Sequence, residues 1–296
     1  MKRILILILF FSFITLNLFA THMRAGEITY VWKTGLTYEI TIVTYTYTKS
    51  PADRPFYDIS WGDGKISTIN RNEKIDLPND VSKNIYIGQH TYPGADTYII
   101  SLEDPNRNGG VVNIPNSINT PFYIETKLVI NSFLGVNNSP VLLNSPIDLG
   151  CVNTPFIHNP GAYDVDGDSI SYKLTICKTE DGQEIKGYSI PTASNSFTIN
   201  SITGDLLWDS PLLIGEYNVA FLIEEWRYGQ LIGSTMRDMQ IEITVCDNQP
   251  PIIENINDTC ILAGTLLEFN IIATDPDTGD IITLSATGGP FQVTTN

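Results

Sequence analysis

The chain has 296 residues with 33 acidic and 17 basic side chains, a net charge of −16, three histidines and four cysteines. So acidic a surface repels phosphate backbones, which excludes the nucleic-acid-binding classes. With no Cys-x-x-Cys pair and so little histidine, the composition also argues against a zinc site.

Lys2 and Arg3 precede an apolar stretch, Ile4 to Ile14 and Leu16 to Ala20, that ends on a small residue. That order predicts a secretory signal over 1–20, cleaved after Ala20. Ser12, Thr15 and Asn17 interrupt the stretch, and it falls short of the ~20 residues of a spanning helix. No later segment is long and apolar enough to span a bilayer. Cleavage removes two positive charges and no negative ones, leaving 15 basic against 33 acidic residues. The expected location is secreted or at the outer cell surface.

Beyond the signal, apolar residues alternate with polar ones. Tyr38, Ile40 and Ile42 interleave with Glu39 and Thr41, the period of a half-buried strand. Further strands are expected at Ile85–Tyr92, Tyr98–Leu102, Phe122–Ile130, Tyr172–Ile176, Tyr217–Ile223 and Met239–Val245, with turn residues between them. Asn137-Asn138-Ser139-Pro140 and Asp247-Asn248-Gln249-Pro250-Pro251 read as linkers. The predicted fold is all-β: tandem immunoglobulin-like β-sandwich modules over 21–137 and 138–247, with the start of a further module over 248–296.

Within the first module, Asp104-Pro-Asn106-Arg-Asn108-Gly109 has the opening pattern of a calcium loop, but position twelve is Pro115 rather than a bidentate glutamate. An Asx-turn loop is the expectation there. Two other acidic runs recur 111 residues apart: Asp164-Val-Asp166-Gly-Asp168 and Asp275-Pro-Asp277-Thr-Gly-Asp280. Three carboxylates this close repel one another unless a cation, amides or solvent neutralise them. They are candidates for two calcium sites, with linker Asn138, Asp247 and Asn248 completing the shells. A plain hydrogen-bonded turn is the competing expectation.

Catalysis is not expected. His22, His90 and His158 have no companion nucleophile in a recognisable elbow. Glu224 and Glu225 are adjacent on a predicted strand and so point to opposite faces, with Arg227 as their expected salt-bridge partner. In an oxidising compartment the cysteines Cys151, Cys177, Cys246 and Cys260 should form disulfides, with three connectivities open.

Tyr57-Asp-Ile-Ser-Trp61-Gly62-Asp63-Gly64, followed by Gly88-Gln-His90-Thr-Tyr92-Pro-Gly94-Ala-Asp-Thr-Tyr98, resembles the polycystic-kidney-disease (PKD) domain over about residues 25–135. Gly62 and Gly64 can supply positive φ, Asp63 can bond the turn's own amides, and Trp61 can plug a core. His90 is then a structural histidine. The segment Ala162-Tyr163-Asp164-Val-Asp166-Gly167-Asp168-Ser-Ile-Ser-Tyr172, with Ile202-Thr203-Gly204-Asp-Leu-Leu-Trp208 and Gly215-Glu-Tyr217-Asn-Val219, resembles cadherin-like and He_PIG-type immunoglobulin-like modules over about 139–246. That resemblance implies calcium at the Asp-x-Asp turns. Its topology implies that Cys177 and Cys246 reach the same end of a sandwich, as Cys151 does, so Cys177–Cys246 is the expected disulfide, Cys151 the alternative partner and Cys260 the one left over.

The order of these pieces, opening Thr21-His-Met-Arg24-Ala-Gly-Glu27-Ile-Thr-Tyr30, is similar to the N-terminal part of gliding-motility-associated, type IX-secreted surface proteins of Bacteroidota. The resemblance implies a non-catalytic stalk or adhesin scaffold. The alternative is a glycan-binding accessory region of a secreted enzyme or adhesin, with Trp32, Trp226 and Tyr228 as sugar platforms. Partners are then extracellular surfaces or glycans.

Overall fold

The computed structural model describes residues 23–50, 52–246, 251–255, 259–262, 264–277, 279–282 and 284. The expected signal over 1–20, His22 and the linker residues Asp247 and Asn248 lie outside them. The described chain is all-β: β1 (Met23–Thr34), β2 (Thr37–Tyr47), β3 (Phe56–Ser60), β4 (Ile66–Leu77), β5 (Val81–Thr91), β6 (Asp96–Asp104), β7 (Phe122–Ile130), β8 (Val141–Leu142), β9 (Ile147–Cys151), β10 (Phe156–His158), β11 (Ala162–Tyr163), β12 (Ser169–Thr175), β13 (Phe197–Ile199), β14 (Leu206–Trp208), β15 (Gly215–Arg227), β16 (Gln230–Thr244), β17 (Ile252–Ile253) and β18 (Ala273–Thr274). The helical content of the described residues is two single 3₁₀ turns, at Ser117–Asn119 and Glu180–Gly182. No described helix is long and apolar enough to cross a membrane.

Two apolar cores form, one in each half. In the first, the alternation along β2 buries Tyr38, Ile40 and Ile42 with Ile28, Trp61, Tyr92, Ile100 and Ile124. Trp61 is fully buried at the Trp-Gly-Asp-Gly turn, where Gly62 and Gly64 have φ of 82° and 83°. A Cβ on Gly62 would collide with the Ile99 backbone. Asp63 closes the turn by accepting from Lys65 N (3.1 Å) and bonds His90 Nε2 (2.9 Å), and the His90 ring stacks on Trp61. His90 is therefore held as a structural side chain. In the second half, Tyr217, Val219, Phe221 and Ile223 of β15 and Met239, Ile241 and Ile243 of β16 pack on Phe156, Leu206 and Trp208.

The boundary between the halves departs from a beads-on-a-string arrangement. Pairing runs β1–β2–β5–β4–β3–β6–β7 in the first half, and β16 of the second half then pairs with both β7 (Gly233↔Leu128 to Thr235↔Thr126) and β1 (Gly26↔Asp238, Glu27↔Arg237). The eight strands make a closed circuit. One edge of β16 is taken by β15; the other is shared in succession by β7, β1 and β9, the last in parallel register. A strand in this position has no solvent-facing edge, which removes an aggregation hazard.

Residues 104–120 form the second joint. On β15 and β16 the faces opposite the apolar core carry Glu216, Asn218, Met236, Asp238 and Gln240, and the 104–120 excursion covers them. Arg107 forks Asp238 (3.2 and 2.6 Å) and donates to Lys178 O (3.0 Å), with both members of the ion pair fully buried. Asn113 and Asn218 exchange bonds at 2.7 and 3.0 Å, Gln240 donates to Asn108 (2.8 Å), and Asn108 donates to Glu216. Val111, Ile114, Cys177, Ile185, Ala220 and Met236 form a small apolar cluster beside them. A second buried pair, Arg237–Glu27 (2.7 Å), ties β16 to β1. The Asp-Pro-Asn-Arg-Asn-Gly run is thus an Asx turn, with Asp104 Oδ1 accepting Asn106 N (3.2 Å), whose next residues reach into the other half.

The disulfide differs from the expected one: Cys151 bonds Cys246, with Cα atoms 5.5 Å apart, while Cys177 is buried and free and Cys260 is exposed and free. The register explains it. Thr244 lies opposite Cys151 in the parallel β9–β16 pair, which brings Cys246 alongside. Thr175 is level with Ala220, itself paired to Asp238, so Cys177 sits near the level of Gln240. Six residues of strand separate that level from Cys246, about 20 Å at ~3.3 Å per residue and beyond a disulfide's ~7 Å reach. Over 251–284 the described residues are mostly exposed, and β17 and β18 pair there through Ile252↔Thr274 and Ile253↔Ala273.

Candidate functional site at the acidic turn

β11 ends at Tyr163 and the chain reverses through Asp164–Asp168 into β12. Asp164 Oδ1 accepts both Asp166 N and Asp168 N at 2.9 Å, and Gly167 takes φ 84°. Two amides therefore relieve part of the repulsion that a triple-acid run imposes. Ligand oxygens of Asp164, Asp166 and Asp168 all lie within 4.8 Å of one another, so the structure brings the predicted trio together.

The rest of the neutralisation comes from side chains outside the motif. Asn138 donates its N–H (2.7 Å) and its amide (2.8 Å) to Asp166 while its Oδ1 accepts Trp32 N (2.7 Å), so it meets the turn as a donor and not as the expected oxygen ligand. Arg227, at the end of β15, forks Asp168 through Nε (2.7 Å) and Nη2 (2.6 Å) and stands 3.9 Å from Asp166. It also donates to the carbonyls of Leu134 (2.6 Å) and Val136 (2.9 Å). Arg227 pairs with these aspartates and not, as expected, with Glu224 or Glu225.

Glu224 accepts from Ser171 Oγ (3.3 Å), whereas Glu225 points inward and is fully buried. Their opposite orientations follow the strand alternation. Tyr30 of the first half donates to Glu225 Oε2 (3.3 Å), and Asn137 of the linker donates to Oε1 (3.0 Å) and to Tyr30 (2.9 Å). Gly233 permits this approach, because a Cβ there would collide with Glu225 and with the Tyr30 hydroxyl. Burial pushes Glu225 up to about 9, with the facing Asp164 carboxyl adding to the rise and the Asn137 and Tyr30 bonds opposing it. Burial also raises Asp164. Asp164 Oδ2 is buried with no hydrogen-bond partner, and a proton on Glu225 gives it the missing donor. The linker Asn137–Pro140 is thus part of the joint, with Asn137 and Ser139 buried.

The donor set at Asp164–Asp168 is carboxylate oxygen, the chemistry a hard cation takes, whereas Asn138 turns its N–H groups to Asp166 and its oxygen accepts Trp32 N at 2.7 Å. Calcium takes six to eight such oxygens, and any ion there shares Asp168 with Arg227. Asp275, Asp277 and Asp280 also place ligand oxygens within 4.8 Å of one another, and Asp275 accepts Asp277 N at 2.9 Å.

His158 is buried and bonded to Asp148 (2.9 Å), like His90 to Asp63. Of the aromatic residues named as sugar platforms, Trp32 and Trp226 are half-buried, with indole N–H groups bonded to Gly35 O and Ser171 Oγ, and Tyr228 is exposed. Sequence reasoning missed the roles of Glu225, Arg107 and Asp238. Their one signal is the polar alternation of β15 and β16, which reads equally well as a solvent-facing side. No family model, curated protein or solved structure matches the chain.

Proposed function

We propose that the chain is a non-catalytic extracellular scaffold, a stalk or adhesin segment of tandem immunoglobulin-like modules: PKD-like over 21–137, cadherin-like over 138–247 and a further cadherin-like segment from 248. The observation that carries this reading is the joint itself. One strand, β16, completes the first half's circuit of strands while forming the second half's core, and two buried arginine–carboxylate pairs lock it. Such a joint suits a part whose task is to hold a fixed length and angle under load. The histidine–aspartate pairs and Glu225 support the non-catalytic reading, since each is absorbed in packing or in the joint.

Export by the signal over 1–20 and a place at the cell surface belong to the same proposal. So does kinship to the gliding-motility-associated surface proteins. Calcium enters as a stiffener at Asp164–Asp168 and Asp275–Asp280, with Asp247 and Asn248 as linker oxygens and Asn138 orienting Asp166 through its N–H bonds. The test is calorimetric titration of EDTA-treated protein with calcium beside Asp166→Ala and Asp277→Ala. The proposal expects binding heat that each substitution reduces. Heat untouched by both, or none at all, rejects the calcium part and leaves two hydrogen-bonded turns. Small-angle scattering tests the scaffold: a rigid 23–246 body with one fixed angle is expected, and a flexible pair of bodies contradicts it.

A further inference from the structure

The end of the molecule where β7 finishes and β16 begins carries two aromatic side chains almost wholly in solvent, Phe133 at 95% and Tyr228 at 89% exposure. The antiparallel β7–β16 register puts their turns side by side. Phe133 crowns a loop closed by the Asn131–Gly135 bridge and by Asn131 Oδ1, which accepts Phe133 N (3.0 Å). Tyr228 crowns the two-residue β15–β16 hairpin.

That hairpin has φ of 51° at Tyr228 and 75° at Gly229, the left-handed pair of a type I′ turn, whose first position favours Asn, Asp or Gly. A bulky residue there is a conformational outlier. Tyr228 packs against nothing that would repay the strain, and a local rule broken without structural gain points to function. Arg227, the residue before it, holds the Leu134 and Val136 carbonyls and Asp168 at once. Three loops are thereby fixed to one another, and both aromatics are presented from a rigid base. β16 then runs away from this end for fifteen residues, roughly 50 Å at ~3.3 Å per residue, before the chain leaves at Cys246. The aromatic end and Cys246 therefore lie at opposite ends of this strand's span.

We propose that this end is a carbohydrate-binding platform on which Phe133 and Tyr228 stack against the rings of a neutral oligosaccharide. Separate protruding rings offer faces for stacking, whereas a stable protein contact needs a continuous packed patch of ~800 Å² per partner. The neighbouring Asp164, Asp166 and Asp168 against the single Arg227, on a chain of net charge −16, disfavour anionic lipids and acidic polysaccharides. The negative faces of the two rings suit the weakly positive C–H faces of an uncharged sugar. The inference goes beyond the scaffold reading, which would stand without it.

The test is affinity electrophoresis of the full chain through gels containing β-glucan, xylan, galactomannan or, as the anionic control, alginate. Retardation by at least one neutral polymer and none by alginate is expected. Phe133→Ser with Tyr228→Asn should weaken it about tenfold or more, the scale of a lost stacking contact. Tyr228→Asn suits the turn, so its melting temperature should equal or exceed that of the parent chain, which separates lost binding from lost folding. Absence of retardation by every neutral polymer, or retardation unchanged in the double variant, overturns the proposal. So does concentration-dependent self-association abolished by the same substitutions, which would make the end a protein contact.

Discussion

The two apolar cores and the seam between them are built from different chemistry. Each core is a set of aromatic and branched side chains from alternating strand positions, Tyr38, Ile40 and Ile42 in one and Val219, Phe221 and Ile223 in the other. The seam is as deeply buried but is mainly polar: Arg107–Asp238, Arg237–Glu27, and the amides of Asn108, Asn113, Asn218 and Gln240. Apolar packing tolerates exchanges of similar volume, whereas a buried ionic network is satisfied in only one arrangement. Each half is thus held together by its core, while their relative placement is set by the seam.

The largest expected effect comes from breaking the seam's ion pair. Asp238→Ala leaves Arg107 buried without its counter-charge and Asn218 without one of its acceptors. The expected loss is about 3–5 kcal/mol, read by urea denaturation. A core substitution of similar severity in β2 should also cost stability. The seam variant should weaken both halves together, whereas the core variant should leave their relative placement unchanged, as scattering would show.

Next is Glu225. Its folded value of about 9 lies above the ~4.3 of an unfolded glutamate, so the folded state holds a proton that the unfolded state has released. Stability from this group is full below about pH 4 and declines as pH rises towards 9. Glu225→Gln cannot ionise, keeps a donor for Asp164 and one of the two acceptor oxygens that Tyr30 and Asn137 use, and should flatten that decline. The linkage between the two states puts the gain over the parent on the order of 5 kcal/mol at about pH 8, and close to nothing at pH 4. Denaturation midpoints at the two pH values check it, and a pH-independent difference would contradict the assignment.

The smallest effect concerns the acidic turn, where the compensating group lies at the surface of the joint. Arg227→Ala should cost about 1–2 kcal/mol in EDTA, since Asp168 loses its fork and two carbonyls lose a donor. If the turn takes calcium, millimolar calcium should restore most of that loss, because a cation then has Asp168 to itself. Thermal melts with and without calcium read this directly.

Much of the fold is legible in the residues themselves. Alternation gives the strands, and the Trp61–Gly64 turn with His90 behaves as its chemistry dictates, with Asp63 bonding both Lys65 N and the histidine. Asp164, Asp166 and Asp168 do converge. The seam is illegible because period-two alternation cannot tell a polar face in water from one covered by another polar segment; Glu216, Asn218, Asp238 and Gln240 all read as solvent-facing. The disulfide depends on a parallel register between β9 and β16, a long-range choice that no local pattern encodes. Glu225 reads as one of a charged pair, and only its burial between Tyr30, Asn137 and Asp164 makes it a proton carrier.

Coupling through β16 should make residues 23–246 one cooperative folding unit. Native-state hydrogen exchange on the whole chain tests it most directly, comparing core amides of β2 with those of β15. The same opening free energy is expected for both strands, with an equal fall in both for Asp238→Ala. Two distinct free energies, with the substitution lowering only that of β15, would contradict it.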